Sequence, residues 1–408
     1  MADNSNYNLW GGYGGNWYAN GYKAGYYQDP ATIITYPYSG TGYKIIFYTQ
    51  AGLKVGEISS EVQNSVLIKA NFELLVNGCG KFELELSELP SPLSAVTYNY
   101  RVDIHLFGDA SPWYSGYIIK VPQSGTTEPS LKYSGFGFYN QLQDIMINAS
   151  YTTDQVSVIV KDLMTNYIEA GTDIVYNESK IEDTSYVVQS INWDRVFAKD
   201  CLKQLSELYL GYEFGVDEDR ELFFREKDVD VYEIARLWVS QNIQTFIPEA
   251  DIEKIRNKLH IYGGEVTGGA GSKTNYVTTV EDATSQSAYG VREDKLTIPS
   301  VLDSADATQW GNYKLTELKD PVQKAKVSGY ELTKTRINAR GKAKITSVDG
   351  LHEFTLPIKK VKYKLESKGI TADLELGEKD VFFSAAQLKL LQRISTEEYL
   401  SEQNLLQS

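Results

Sequence analysis

The stretch KFELELS, residues 81–87, decides the fold class of this chain. Phe82, Leu84 and Leu86 alternate with charged or polar residues, and a period of two places them on one face of an extended strand. The stretch therefore predicts a β-strand that buries one face in a core and keeps the other face in water.

Similar runs lie on both sides of this strand. They are rich in β-branched and aromatic residues and read YKIIFYTQ (43–50), SVLIKANFELLVNG (65–78), YNYRVDIHLFG (98–108) and WYSGYIIKVPQ (113–123). Because Gly, Pro, Asn and Ser separate these runs at short intervals, the pattern predicts a barrel or sandwich and not βαβ units. We assign this first β-module to residues 44–127.

Residues 128–235 combine strand-like KYSGFGFYN (132–140) with two helical patterns, which predicts a smaller α+β module. The first helix is predicted from Thr153 to Tyr167, with Thr153 and Asp154 as capping candidates. The second is predicted over residues 196–211, since Leu202, Leu205 and Leu208 recur on one face before Gly211. The stretch YEFGVDEDRELFFRE (212–226) then predicts a hairpin whose tip, Asp217 to Asp219, is solvated.

A second β-module is predicted for residues 236–380. Leu259 and Ile261 lie in a strand expected to end at Gly263-Gly264, and GEVTGGAGSKTN (264–275) is expected to be a flexible loop. A helix is predicted from Ser304 to Leu318. Four further strands are predicted around KVSGYEL (326–332), GKAKITSVDG (341–350), FTLPIKKVKYKLE (354–366) and ITADLELG (370–377).

The two ends of the chain differ from these modules. Residues 1–43 are dense in Gly, Tyr, Asn and Trp, and their aromatic side chains suit an arm that becomes ordered on a partner; a flexible tail is the alternative. Residues 381–408 are typical of an amphipathic helix, either packed on its own chain or bound to a neighbour. The predicted protein–protein interface residues are Trp10, Tyr13, Trp17, Tyr18, Tyr26, Tyr27, Leu388, Leu391 and Ile394.

Composition excludes several classes of function. A formal charge of −14 argues against tight binding to the phosphate backbone of DNA, which depends on Lys and Arg. Cys79 and Cys201 are far apart and are expected to be buried free thiols, which fits assembly in a reducing cytoplasm. No apolar run reaches the roughly 18 to 20 residues that cross a bilayer, and the polar start is unlike an export leader.

The sequence offers little that could perform chemistry. His105, His260 and His352 stand alone, without a carboxylate or cysteine at ligand spacing. No GxSxG elbow lies between a strand and a helix, and the Gly-rich segments lack the pattern of a phosphate loop. We therefore expect no catalytic residue, no cofactor, no metal and no enzymatic activity.

The order of segments resembles that of bacteriophage tail hub proteins, the family of contractile-phage baseplate hubs and siphophage tail-tip proteins. The resemblance spans residues 62–380 and is carried by several short phrases in the right order. These are Gly80–Leu86, Val102–Leu106, Trp113–Ile118, Leu205–Phe214, Leu222–Phe224, Arg256–Gly264, Tyr289–Glu293 (after Asp282, Ser285 and Ser287) and Leu374–Gly377.

This resemblance implies a virion protein, a trimer with two tube-like β-barrels per chain that adapts a sixfold tail tube to a threefold tip or spike. The implied partners are a tail tube or distal tail protein, a tape measure protein and a central spike or tip protein. It also implies part of the DNA passage, with an acidic wall poor in Lys and Arg. Two alternatives stay open: a tail-associated cell-wall hydrolase, and a carbohydrate-binding receptor-recognition protein whose Tyr and Trp stack on sugars.

Overall fold

The computed structural model describes residues 42–60, 66–88, 96–122, 130–208, 212–227, 233–267, 273–298, 304–331, 336–348, 350, 352–366 and 369–377. Strands dominate these residues, so the predicted mainly β fold with an α+β insert is confirmed. The chain divides into two compact units. Unit one comprises Met1–Ile247 and Lys326–Leu376, and unit two comprises Pro248–Ala325 and Gly377–Ser408.

Unit one begins with antiparallel strands of the kind that the sequence predicts. They are β1 (Tyr43–Tyr48), β2 (Lys54–Ser59), β3 (Leu67–Leu75), β4 (Gly78–Leu86), β5 (Arg101–Leu106), β6 (Tyr114–Lys120) and β7 (Leu131–Gly137). The alternation in β4 is confirmed: Phe82, Leu84 and Leu86 are buried, whereas Lys81 and Glu83 are exposed.

The α+β insert follows β7. Its elements are a 3-10 turn (Phe138–Gln143), β8 (Met146–Gln155), α1 (Val156–Leu163), a π turn (Met164–Ile168) that runs into a last helical turn (Glu169–Gly171), a 3-10 turn (Glu178–Lys180), β9 (Val187–Phe197), α2 (Ala198–Leu208), β10 (Tyr212–Val216) and β11 (Leu222–Glu226). Leu202 and Leu205 of α2 are buried in one apolar cluster with Ile159 and Leu163 of α1. The same cluster includes Tyr117 of β6, so the helices of the insert pack against the first strands within unit one.

The start of the first helix differs from the prediction. Thr153 and Asp154 do not cap it, because both lie in β8, which pairs antiparallel with β9 up to Gln155↔Val187. The helix begins at Val156. The cross-strand partner lies more than 30 residues downstream, and its hydrogen bonds outweigh the local capping preference of Thr and Asp.

Strands β12 (Glu233–Trp238) and β13 (Thr245–Asp251) lead to unit two, which contains β14 (Lys258–Thr267), β15 (Lys273–Glu281), α3 (Ala283–Tyr289), β16 (Glu293–Ile298) and α4 (Ser304–Leu318). The strand order is β15-β14-β16, and Leu259, Ile261 and Leu315 share an apolar core. Helix α4 has the predicted bounds. The predicted loop is wrong in part, since β14 continues through Gly263-Gly264 to Thr267 across a bulge and β15 begins at Lys273.

Unit two contains a buried asparagine that explains the phrase beginning Arg256-Asn257. The Asn257 side chain donates to Gly290 O (2.8 Å) and Ser285 Oγ (3.3 Å) and accepts from the Arg292 amide (2.7 Å). Asp282 caps α3 by accepting from the Ser285 amide. These bonds fix the turn that joins α3 to β16, so the motif is structural.

The last strands return to unit one. They are β17 (Val322–Glu331), β18 (Lys342–Thr346), β19 (Glu353–Glu366) and β20 (Gly369–Gly377). One sheet then runs in the order β13-β17-β20-β19-β3-β4-β7-β6-β5-β1-β2, with β12, β18, β10 and β11 attached at its side. The late strands and the early strands meet where β19 pairs antiparallel with β3. In the described part of the chain, no helix has the length and apolar character to span a membrane.

Candidate functional site

The predicted interface residues cannot be placed. Trp10, Tyr13, Trp17, Tyr18, Tyr26, Tyr27, Leu388, Leu391 and Ile394 all lie outside the described residues. The candidate site within the described residues is instead the junction at which β19, β3 and the insert meet, together with the water-facing side of the same sheet.

Single histidines and thiols occupy structural positions. His105 is buried, with Nδ1 3.1 Å from Asp109 O, and His260 contacts Thr279 and Glu293. Cys79 and Cys201 are buried and unpaired, which confirms the two predicted thiols. Burial raises the pKa of Cys79 to about 12, so its thiol is a poor nucleophile at neutral pH. No group of ligating side chains able to hold a metal occurs among the described residues.

An aromatic core joins the early and late strands. The ring of Phe72 in β3 stacks on Tyr363 of β19 at 4.8 Å and lies 5.4 Å from Tyr114 of β6. The Tyr114 hydroxyl donates to Gly80 O (2.7 Å), and the Tyr363 hydroxyl donates to Ile337 O (2.6 Å). Because these rings are fully buried and their hydroxyls are bonded, the two sets of strands form one rigid core.

Arg336 ties the segment before β18 to two other parts of unit one. Its guanidinium donates to Glu218 Oε1 (2.6 Å), Trp113 O (2.9 Å) and Pro112 O (3.4 Å). The side chain is 18% exposed and that of Glu218 is 30% exposed. A guanidinium suits this position, since its fork of N–H groups satisfies several acceptors at once.

The predicted solvated hairpin tip is therefore wrong in part: Asp219 is exposed, but Asp217 and Glu218 are bound to other parts of the chain. Glu218 is held by Arg336, and Asp217 accepts from Lys180 Nζ (3.1 Å) and from the amides of Asp219 and Glu221. The tip is an anchored contact because cations from distant parts of the chain neutralise its carboxylates. No local pattern in residues 212–226 reveals those partners.

The base of the same hairpin is fixed as well. Glu213 is buried between Arg340 and Arg225. The Asn77 side chain donates to Phe214 O (2.6 Å), and Val216 pairs with Gly78. A Cβ on Gly78 would lie 1.7 Å from Val216 O, and the residue has φ +115°, so glycine is required there.

The side of the sheet opposite the aromatic core is charged. Outward residues alternate with buried ones: Lys360, Lys362 and Lys364 of β19 alternate with Val361, Tyr363 and Leu365. The charged outward residues of β3, β4, β7, β19 and β20 are called the charged face below. They are Lys69, Glu73, Lys81, Glu83, Glu85, Lys132, Lys360, Lys362, Lys364, Glu366, Asp373 and Glu375. Sequence analysis missed these residues, although the period of two in KVKYKLE is the same signal as in KFELELS.

Several lysines of the charged face form ion pairs with its carboxylates. Lys360 lies 2.9 Å from Glu73, Lys364 lies 2.5 Å from Asp373, and Lys69 lies 3.7 Å from Glu366. Lys81 donates to Glu83 (2.5 Å), and this bond lowers the pKa of the Glu83 carboxyl. Each of these four lysines therefore lies within 4 Å of a carboxylate of the same face.

Three solved structures of phage tail proteins share the fold of this chain. The chain superposes on the 43 kDa tail protein of prophage MuSo2 from Shewanella oneidensis with a TM-score of 0.61 and 13% identity, covering 82% of this chain and 98% of that one. This chain has a phage tail protein fold. The tail protein from Neisseria meningitidis MC58 gives 0.60 and 13%, covering 83% and 98%, and prophage tail protein gp18 from Listeria monocytogenes EGD-e gives 0.56 and 14%, covering 86% and 99%.

The tail protein likeness is one of structure. No protein-family model and no curated protein sequence matches the chain. Nearly the whole length of each of the three tail proteins is nevertheless covered. The predicted resemblance to phage tail hub proteins is confirmed at the level of the fold.

Proposed function

We propose that this chain is a structural protein of a phage tail, the trimeric hub of a tail tip or baseplate. The observation that carries the proposal is the match to tail proteins over nearly their whole length. The rigid junction supports it, because a hub has to hold its neighbours in fixed positions while the tail works. The hub would reside at the tail end of the virion after assembly in the host cytoplasm.

Symmetry matching is the proposed task. Two strand-built modules, residues 44–127 and 236–380, would present six similar elements in a trimer, so that a threefold spike or tip can dock below a sixfold tube. The α+β insert of residues 128–235 would be held in place by the Arg336 and Arg340 contacts. The partners would be a tail tube or distal tail protein, a tape measure protein and the central spike or tip.

Enzymatic activity is not part of this proposal. The buried thiols and singly placed histidines of the described residues are typical of structural positions. A tail-associated cell-wall hydrolase would instead release fragments from purified peptidoglycan. A receptor-recognition protein would bind glycans in an array. Among the residues that the structure describes, no observation favours either alternative.

The oligomeric mass of the purified full chain tests the proposal directly. We expect three times the 45.9 kDa of one chain in light scattering, and electron micrographs of a ring with a central hole. Co-expression with the tail tube protein should yield a complex in which the trimer caps the tube. A monomer at micromolar concentration that neither forms rings nor binds tube protein would refute the hub.

The aromatic N-terminal arm gives a second, separable test. We expect deletion of residues 1–43 to abolish co-assembly with the tail while the trimer stays folded, because Trp10, Trp17 and their aromatic neighbours are proposed to bind a partner. Deletion of residues 381–408, for which the sequence predicts an amphipathic helix, is the matched comparison. If deletion of residues 1–43 leaves the assembled particles unaltered, the proposed role of the arm is refuted. The proposed trimer is not affected by that result.

A further inference from the structure

The turn between β3 and β4 contains the dipeptide Asn77-Gly78. Glycine has no side chain that hinders its nitrogen, so the nitrogen of Gly78 can attack the side-chain amide of Asn77. The bond from Gly78 N to Asn77 Cγ then forms and the Cγ–Nδ2 bond breaks. The amide leaves as ammonia, with the proton that the glycine nitrogen loses. Water opens the resulting succinimide ring to aspartate or isoaspartate.

The hairpin formed by β10 and β11 holds Asn77 by its side chain and by its backbone. Asn77 Nδ2 donates to Phe214 O (2.6 Å), and Asn77 O accepts from the Val216 amide (3.0 Å). Between these two contacts, Gly215 lies so close that a Cβ on it would be 2.4 Å from Asn77 O. The same three hairpin residues therefore fix both the leaving group and the backbone beside which the ring has to close.

Ring closure opposes each of these contacts. Attack on Cγ turns the planar amide into a tetrahedral centre, and Nδ2 then departs, so its bond to Phe214 O has to break during the reaction. The five-membered ring also sets a new backbone torsion at Asn77, which the Val216 amide and the close approach of Gly215 resist. Reaction at Asn77 therefore requires the hairpin to move away from the β3–β4 turn.

We propose that Asn77 is a deamidation site that the docked hairpin protects and that reacts when the hairpin is undocked. The products cannot restore the contact. An ionised aspartate has no N–H to donate and places a negative oxygen against Phe214 O, whereas isoaspartate inserts an extra methylene group into the backbone beside Gly78. Deamidation therefore accumulates in chains whose hairpin stays undocked and prevents them from docking it later. The site is independent of the hub function.

Peptide mapping by mass spectrometry tests the protection. The full-length protein is incubated at mildly alkaline pH, either folded or unfolded in guanidinium chloride, and conversion is followed at Asn77 and at Asn20, which precedes Gly21. In the unfolded chain we expect both asparagines to react at similar rates, since glycine follows each of them. In the folded chain Asn77 should react at least about 10-fold more slowly than when unfolded, which corresponds to an opening free energy of about 1.4 kcal/mol. Equal rates at Asn77 in the two states, or no reaction in the unfolded chain, overturn the proposal.

Loosening the hairpin without changing Asn77 separates protection by the hairpin from protection by general burial. Arg336 holds the hairpin tip through Glu218 (2.6 Å), so Arg336→Met should speed folded-state conversion of Asn77 at least about 5-fold, equivalent to about 1 kcal/mol. Arg256→Met removes an arginine of unit two and should leave the rate unchanged. Circular dichroism first verifies that both variants are folded. Acceleration in both variants, or in neither, refutes protection by the hairpin.

Asn77→Asp reproduces the aspartate product and tests whether that product undocks the hairpin. The Val216 amide donates to Asn77 O, so its hydrogen exchange reports on docking, and we expect exchange at least about 10-fold faster in Asn77→Asp. Asn192→Asp is the matched control, because it adds the same charge at an exposed asparagine whose Oδ1 accepts from Ser150. Unchanged exchange of Val216 in Asn77→Asp, or equal acceleration in the control, overturns the proposal.

Discussion

Arg336→Met removes three hydrogen bonds that hold the segment before β18 against Glu218 and the backbone at Trp113. Breaking a fully buried ion pair costs about 3–5 kcal/mol, and hydrogen bonds to charged groups contribute about 1.5–3 kcal/mol each. The Arg336 and Glu218 side chains are 18% and 30% exposed, so solvent reduces the loss. We expect a local destabilisation of about 2–3 kcal/mol.

Amide hydrogen exchange measures this loss where it occurs. The Ile337 amide donates to the Tyr363 hydroxyl (3.0 Å) and is exposed to exchange only when the segment opens. A loss of 2–3 kcal/mol corresponds to protection reduced about 30-fold to 140-fold. Global melting is the poorer assay, because a chain with two units does not unfold in one step.

Two comparisons separate this effect from general damage. Glu218→Gln keeps the shape of the acceptor, so we expect it to lose less stability than Arg336→Met. The losses of the two single variants should not add in the double variant Arg336→Met/Glu218→Gln, and the coupling energy should be about 1–2 kcal/mol. Arg256→Met is the matched arginine control, since Arg256 bonds to carbonyls of its own segment in unit two. Unchanged protection of Ile337 in Arg336→Met, or the same loss in Arg256→Met, would refute the anchoring role.

Asn257→Ala should destabilise unit two by about 2–4 kcal/mol, because it leaves the Arg292 amide and Gly290 O unpaired. Amide hydrogen exchange checks this prediction, and we expect faster exchange confined to residues 289–292. Gly78→Ala should lower the free energy of unfolding, measured with chemical denaturant, by at least about 2 kcal/mol more than Gly108→Ala. Both glycines have positive φ, but only at Gly78 would a Cβ clash with Val216 O. Equal losses in the two variants would contradict this argument. Burial raises the pKa of Asp103, so its contribution to stability is present below the unfolded pKa and is lost as pH rises through the folded pKa. The melting temperature of Asp103→Asn relative to wild type should therefore increase with pH over that range, and a constant difference would count against a buried, strained carboxylate.

Elements that depend on local pattern could be predicted from the sequence. KFELELS forms β4 with the expected inward face, α4 runs from Ser304 to Leu318, and Leu202 and Leu205 are buried in α2. In each case the apolar period alone sets which side is buried, so no distant partner is needed to recognise it.

Elements that depend on distant partners could not be predicted in this way. Thr153 and Asp154 favour a helix start locally, yet both lie in β8, where Asp154 pairs with Val188 of β9 and Thr153 has a left-handed φ of +61°. Asp217 and Glu218 have the composition of a solvated turn, yet Lys180 and Arg336 neutralise them. The period of two in KVKYKLE marks its lysines as outward, but the carboxylates that they face depend on register between strands far apart in sequence.

The pairing of β19 with β3 cannot form until most of the chain has been synthesised. β3 emerges from the ribosome early, but its neighbour follows roughly 290 residues later, a delay of about 15 to 60 seconds at typical elongation rates. Throughout that interval the edge of β3 is open and Phe72 lacks the ring of Tyr363. Nascent chains are then vulnerable to edge-to-edge aggregation, and slower translation prolongs that interval. We therefore expect the yield of soluble full-length protein to depend on chaperones that shield the edge of β3.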